Sequence, residues 1–229
     1  MTMTTLYWII FIGIAIASWA VSAALESKFK KYSKVKLNMT GREVALKMLH
    51  DNGIYDVEVT CIKGQLTDHY NPATKTVNLS ESVYNNANVA AAAVAAHECG
   101  HAVQHAMAYG PLKMRSALVP VVSFSNNWVT WIILGGLLLL GTATGQVLLL
   151  VGIGLYAMLT LFSFITLPVE VNASQRAVNW LQEAGITDRE TTEMASDALH
   201  SAAYTYVVAA IGSLATLMYY ILLALGDRK

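Results

Sequence analysis

Long apolar stretches alternate with shorter polar segments along the chain. Residues 5–25 form the first apolar stretch, and residues 116–169 form a second that contains no Asp, Glu, Lys, Arg or His. A helix needs about 20 apolar residues to cross a bilayer core of roughly 30 Å, so the second stretch is long enough for two helices, at 117–140 and 146–167. With a last span at 202–225, the pattern predicts four transmembrane helices.

The composition supports this prediction of a membrane protein. The 229 residues are 55% hydrophobic and only 13% charged, which is too apolar for an ordinary soluble domain. The formal net charge is zero, which argues against a nucleic-acid partner. Lysines follow the first apolar stretch rather than precede it, so we expect an anchor and not a cleaved signal peptide. Cys61 and Cys99 belong to no paired motif and are expected to be reduced thiols.

The distribution of basic residues predicts the orientation in the membrane. The N-terminal tail, residues 1–4, carries no charged side chain, whereas a basic cluster directly follows the first span. The cluster consists of Lys28, Lys30, Lys31, Lys34, Lys36, Arg42 and Lys47. Because short loops rich in Lys and Arg stay in the cytoplasm, residues 26–115 and 168–200 are predicted to be cytoplasmic. Both chain ends and the turn at 141–145 are then predicted to lie on the outer side of the cell membrane.

The predicted cytoplasmic segments contain helix and strand patterns. Thr40, followed three residues later by Glu43, predicts the start of a capped helix. Residues 55–62 and 75–79 are rich in β-formers and predict a small sheet. Residues 88–108 include an alanine-rich run that favours a helix. The expected fold class is therefore a mainly α integral membrane protein with a cytoplasmic α+β region.

The predicted helix 88–108 carries the run His-Glu-Cys-Gly-His that begins at His97, which is the H-E-x-x-H pattern of metalloproteases. His97 and His101 are one turn apart on the same helical face, about 6 Å from each other, so both imidazoles can bind one Zn²⁺. Glu98 is rotated away from that face and can act as a general base towards water. Cys99 is offset from both imidazoles and is interpreted as a packing residue.

A zinc peptidase needs a third ligand. His105 lies a further turn, roughly 6 Å, beyond His101 and is interpreted as a supporting or packing residue. The metzincin pattern requires a His six residues after His101, where Met107 stands. A gluzincin arrangement instead takes a Glu from a later helix, and Glu170 is the best candidate for it.

The segment around Glu170 has a pattern of its own. Pro168 suits the first turn of a helix, which predicts that Glu170 lies near a helix start and Ser174 one turn later on the same face. The Ser174 hydroxyl is a candidate to hydrogen-bond a ligand imidazole. Several side chains could stabilise a developing oxyanion, and the choice stays open among His69, Arg176, His200, Tyr204 and Tyr206.

Four segments that include these residues resemble the bacterial YugP-type neutral zinc metallopeptidase family. They are LTDHYNP at 66–72, VAAHECGHAVQH at 94–105, LVP at 118–120 and LPVEVNASQRA at 167–177. The resemblance implies a Zn²⁺ cofactor bound by His97, His101 and Glu170, with Glu98 as the catalytic residue. The chain is more remotely similar to the HtpX family of membrane proteases, whose Glu-x-x-x-Asp motif has Ser174 in place of the Asp. This similarity implies that the strand at 75–79 pairs with the substrate backbone.

Together the residues and the resemblance predict a gluzincin-type zinc metalloendopeptidase in the membrane that cleaves peptides or membrane proteins. One alternative is an intramembrane protease of the site-2 type, which carries its motif inside a span and usually an Asp in another. No predicted span contains an Asp. A zinc transporter is a second alternative, although the candidate ligands lie outside the uncharged stretches. The third is a non-enzymatic scaffold, against which the intact Glu98 argues.

Overall fold

The structure is a computed structural model that describes residues 3–226. The chain ends predicted to lie outside the cell include residues 1–2 and 227–229, which fall beyond the described range. The helices are α1 (Met3–Tyr32), α2 (Gly41–Asp51), α3 (Glu81–Tyr84), α4 (Val89–Ala106), α5 (Gly110–Leu138), α6 (Ala143–Glu183) and α7 (Arg189–Gly226). The strands are β1 (Glu58–Ile62), β2 (His69–Asn71) and β3 (Thr76–Ser80).

Four of these helices are long and apolar enough to cross a membrane, namely α1 from Thr5 onward, α5, α6 and α7. In the most apolar part of each, at most 17% of the residues are buried within the protein. Outward-facing apolar surface of this extent is what a helix in contact with lipid presents. The prediction of four apolar helices of membrane length is confirmed.

The helices are longer than the apolar stretches that predicted them. The helix predicted at 146–167 extends further, because α6 continues without a break to Glu183 with Pro168 inside it. The prediction that Pro168 opens a new helix is therefore wrong. A proline costs a helix one N–H donor and crowds the preceding turn, but apolar membrane-type helices tolerate this when neighbouring groups compensate. Glu170 thus lies on the same helix as the predicted span 146–167.

The described residues form two compact units. The apolar unit consists of Met114–Leu167 with the described residues up to Ala20 and from Thr205 onward. Its small buried core contains Val129 and Ile133 of α5 and Leu149 of α6. Between these two helices Gly141 adopts a φ of +87°, a conformation that glycine reaches without a Cβ clash. The turn occupies residues 139–142, so it overlaps the predicted 141–145 only at its end, and residues 143–145 belong to α6.

The polar unit consists of Val21–Lys113 and Pro168–Tyr204. It contains a three-stranded sheet in the order β1-β3-β2. β1 pairs with β3 in parallel, and β2 pairs with β3 antiparallel with Tyr70 opposite Val77. The predicted strands at 55–62 and 75–79 are present as β1 and β3. β3 has a partner on each side, with β2 covering Thr76–Asn78, and this strand order disfavours the expectation that the strand at 75–79 pairs with a substrate backbone.

The core of the polar unit lies between α2, α4 and the sheet. The predicted capping box is confirmed, since the Thr40 side chain accepts from the Glu43 amide and the Glu43 carboxylate accepts from the Thr40 amide. Six alanines of α4 are at most 1% exposed, namely Ala90, Ala91, Ala92, Ala93, Ala95 and Ala96. Met48 of α2 and Leu79 of β3 are buried in the same cluster. Small side chains let neighbouring elements approach α4 closely on several sides.

Candidate metal centre

Helix α4 positions the H-E-x-x-H run. The Asn88 side chain accepts a hydrogen bond from the Ala91 amide at 2.9 Å and so satisfies one free donor at the start of the helix. The alanine-rich segment that follows has high helix propensity, and α4 extends to Ala106. The helix predicted at 88–108 is thus present but slightly shorter at both ends, and it carries His97, Glu98 and His101 from its middle onward.

Gly100 brings α4 against α6. A Cβ added to Gly100 would lie 2.7 Å from the Ala173 carbonyl oxygen and 3.1 Å from the Ala173 Cα. These contacts are too short for any side chain, so only glycine lets the two helix backbones approach this far. Ala173 is three residues after Glu170 on α6, and the close approach therefore brings the Glu170 carboxylate to the histidines.

The structure brings His97, His101 and Glu170 together. The Glu170 Oε2 atom lies 3.3 Å from His97 Nε2 and 3.5 Å from His101 Nε2. The three potential ligand atoms all lie within 4.8 Å of one another. Their side chains are only 14%, 11% and 4% exposed for His97, His101 and Glu170.

The chemistry of this cluster fits a zinc ion. Ligand atoms about 2.0–2.1 Å from zinc in a tetrahedral site are separated by about 3.3 Å. The Glu170 oxygen is 3.3 Å and 3.5 Å from the two imidazole nitrogens, which is close to this separation. Glu170 Oε2 is fully buried and accepts no hydrogen bond, so it lacks the partner that a buried carboxylate oxygen requires. Two nitrogens and one carboxylate oxygen are a ligand set found in catalytic zinc sites, which keep a fourth position open.

Electrostatics at the cluster favour a cation. Burial by itself lowers the pKa of His101, but the contact with Glu170, the negative charges of Glu98 and Glu170 and the contact with Gln104 together raise this pKa above its ordinary value. Positive charge at the imidazole is therefore stabilised by the surrounding carboxylates. The same field would stabilise a bound metal ion.

The far nitrogens of both imidazoles have neutral partners. Ser174 Oγ lies 3.1 Å from His97 Nδ1, and Gln104 Oε1 lies 3.1 Å from His101 Nδ1. Ser174 is thus placed where the sequence suggested. Gln104 was not identified from the sequence, although its position three residues after His101 on the same helix could have indicated it.

Glu98 lies beside β2. Its Oε2 atom accepts a hydrogen bond from the Tyr70 amide at 3.0 Å. Glu98 as a whole residue is only 9% exposed. Tyr70 pairs with Val77 of β3. The Tyr70 amide donates to Glu98, so this amide points away from β3. Sequence reasoning missed Tyr70, since its contribution is a backbone group.

His105 and Cys99 lie outside the group of three potential ligands. His105 Nδ1 is 2.9 Å from the Tyr70 hydroxyl. The Cys99 thiol is buried and donates to the Ala45 carbonyl at 3.5 Å. Burial raises the pKa of Cys99, so the thiol stays protonated and acts as a packing residue.

The candidate oxyanion donors have other contacts. His69 Nδ1 lies 2.8 Å from the Thr67 carbonyl, and His200 Nδ1 lies 2.8 Å from the Ser196 carbonyl. Arg176 Nε donates to Asn172 Oδ1 at 2.8 Å. The remaining candidates are the exposed residues Tyr204 and Tyr206. These contacts do not select one of the five.

Comparisons with known proteins agree with the chemistry of the cluster. A protein family described as "Putative neutral zinc metallopeptidase" matches residues 7–225 of the chain. A protein of Bacillus subtilis (strain 168) named "Putative membrane protease YugP" is 40% identical over 226 residues, which cover 96% of this chain and 98% of that protein. No solved structure matches the chain.

Proposed function

The chain belongs to the neutral zinc metallopeptidase family, and from this membership we propose that it is a membrane-embedded zinc metalloendopeptidase of the gluzincin type. His97, His101 and Glu170 would hold the zinc ion, and Glu98 would act on the water. The observation that supports this best is the convergence of three potential ligand atoms from two different helices to within 4.8 Å of one another.

Glu98 is the general base and acid of the proposed reaction. Zinc held at the cluster would acidify a water molecule and polarise the carbonyl of the scissile peptide. The Glu98 carboxylate takes a proton from the attacking water and later delivers it to the leaving amine. The hydrogen bond from the Tyr70 amide fixes this carboxylate, whose charge acts on His101 of the cluster.

The free edge of β2 is the proposed place for the substrate backbone. An extended peptide can add to a sheet edge through main-chain hydrogen bonds. In an antiparallel pair, alternate residues direct their amide and carbonyl groups away from the partner strand. Within β2 this residue is Tyr70, whose amide donates to Glu98, so its carbonyl is the group proposed to accept from a substrate amide. Substrate would therefore reach the catalytic residues from β2 and not from β3.

We further propose that the protein lies in the cell membrane of a bacterium, with the polar unit in the cytoplasm and the N-terminus outside. The basic cluster after the first span and the four apolar helices support this arrangement. Substrates would then be peptides or membrane proteins near the cytoplasmic face. The run that contains His97 stands on α4, which is not among the four helices long and apolar enough to cross a membrane, and this disfavours the intramembrane alternative.

Cys61 is a natural reporter of the proposed orientation. It is exposed, whereas Cys99 is buried with a raised pKa. In intact spheroplasts, a maleimide that cannot cross membranes is expected to leave the protein unlabelled, and permeabilisation should allow one label per chain. Cys61→Ser is the control and should remain unlabelled in both cases. Labelling of Cys61 in intact spheroplasts would reverse the proposed topology.

Metal analysis and peptide cleavage test the proposed function. Protein purified in detergent is expected to contain about one zinc per chain and to hydrolyse an unstructured peptide. A chelator should remove both the zinc and the hydrolysis, and added zinc should restore both. Absence of stoichiometric zinc would refute the proposal. Zinc uptake into proteoliposomes without any peptide hydrolysis would support the transporter alternative instead.

A further inference from the structure

Gln104 is a polar side chain with no solvent exposure. Its amide nitrogen donates to the Val169 carbonyl at 2.8 Å and to Asn172 Oδ1 at 3.1 Å, both on α6. Its amide oxygen lies 3.1 Å from His101 Nδ1. Gln104 therefore links α4 to α6 and also contacts a candidate zinc ligand.

The hydrogen-bond partners determine which way the Gln104 amide points. The Val169 carbonyl can only accept, so it requires the NH₂ group of Gln104. Asn172 Oδ1 also receives the Arg176 Nε donor at 2.8 Å, which identifies this atom as an acceptor. Both N–H groups of Gln104 are thereby used on α6. The amide oxygen must face His101, where it can only accept a hydrogen bond.

This orientation assigns the proton of the His101 ring. A neutral imidazole carries one N–H, and the Gln104 oxygen requires it to be on Nδ1. The lone pair is then on Nε2, which is the atom 3.5 Å from Glu170 Oε2. His101 is thus prepared to bind a metal ion through Nε2.

We propose that Gln104 is a positioning residue that fixes the ring orientation and tautomer of His101 for zinc binding. The inference rests on the proposed zinc site. Zinc-binding histidines often have a carboxylate behind them, which also raises the basicity of the ligand. Here the partner is a neutral amide, whose own hydrogen bonds lead to Asn172 and the Arg176 guanidinium. The histidine is oriented without additional negative charge behind it.

Two substitutions separate this role from simple bridging of the helices. Gln104→Met has similar length and removes both the acceptor for His101 and the donors to α6. Gln104→Glu keeps an acceptor for His101 but removes the amide donors to Val169 and Asn172. The measurement is the zinc dissociation constant, obtained by competition with a chromogenic chelator in detergent. We expect Gln104→Met to weaken zinc binding about 10–100-fold, and Gln104→Glu to bind zinc at least as tightly as the unmodified protein.

Asn88→Ala is the matched structural control. Asn88 is also a buried polar residue, at the N-cap of α4, but its contact is with the Ala91 amide at the helix start. This variant should unfold at a lower temperature and bind zinc with unchanged affinity. If Gln104→Glu loses affinity to the same extent as Gln104→Met, Gln104 only ties α4 to α6 and the proposal is wrong.

A measurement on the unmodified protein does not depend on whether a variant folds. In ¹⁵N-histidine NMR spectra of the zinc-loaded protein, His101 is expected to carry its proton on Nδ1 and to bind zinc through Nε2. Zinc bound through Nδ1 would overturn the role of Gln104. If the unmodified protein binds no zinc, the proposed function fails, whereas normal zinc affinity in Gln104→Met contradicts only this inference.

Discussion

Replacing Glu98 with Gln is expected to lower peptide hydrolysis by a factor of about 10²–10⁴ while the zinc content stays the same. The amide cannot take a proton from water, but its oxygen can still accept the Tyr70 amide, so the side chain is expected to keep its position. Glu98 is near the ligand cluster but is not one of its three potential ligands. The measurement is kcat/KM on a fluorogenic peptide, together with metal analysis of the same sample.

Glu183→Gln provides a matched control for this variant. It makes the same chemical change at an exposed position near the end of α6. Its activity and zinc content should both equal those of the unmodified protein. Full activity in Glu98→Gln would exclude Glu98 as the general base. Loss of zinc in that variant would instead mean that Glu98 takes part in binding the metal.

Replacing Glu170 with Gln is expected to remove zinc from the purified protein. The substitution keeps the volume of a side chain that is 4% exposed but eliminates the only carboxylate among the three potential ligands. The affinity loss should exceed the roughly 10–100-fold typical for removing a group that only supports a ligand. Zinc per chain and the chelator-competition constant measure it, and hydrolysis should fall in parallel.

The histidine variants set the scale for Glu170. His97→Ala and His101→Ala should also lose zinc, because each removes one nitrogen of the cluster. The Glu183→Gln control lies on the same helix as Glu170 and should retain the metal. If Glu170→Gln retained stoichiometric zinc while both histidine variants lost it, the third ligand would have to be another residue.

Patterns that depend on nearby residues could be predicted from the sequence. The capping box at Thr40 and Glu43 is local, as is the i, i+4 relation of His97 and His101. Hydropathy over about 20 residues was enough to find the four long apolar helices. Glu170 could be suggested because a gluzincin-type site needs a carboxylate from a later helix, although its distance from the histidines depends on how α4 packs against α6.

Features that depend on distant contacts could not be predicted in the same way. The central place of β3 follows from pairing with both β1 and β2, and no local pattern of β-formers specifies strand order. Pro168 was misinterpreted because a proline inside a long apolar helix has the same local sequence as one at a helix start. Gln104 and Tyr70 make hydrogen bonds to residues on other secondary-structure elements, and their side-chain types alone do not indicate these contacts.

The shortness of β2 limits how a peptide substrate could be recognised. The strand has three residues, and of these only Tyr70 directs its backbone groups away from β3, with its amide already donating to Glu98. Two positions further on stands Pro72, which has no amide hydrogen to offer. Main-chain pairing would therefore extend over very few substrate residues, and lengthening a peptide beyond that footprint would add little affinity. Cleavage sites for the proposed peptidase would be selected by how easily a short extended segment reaches this edge.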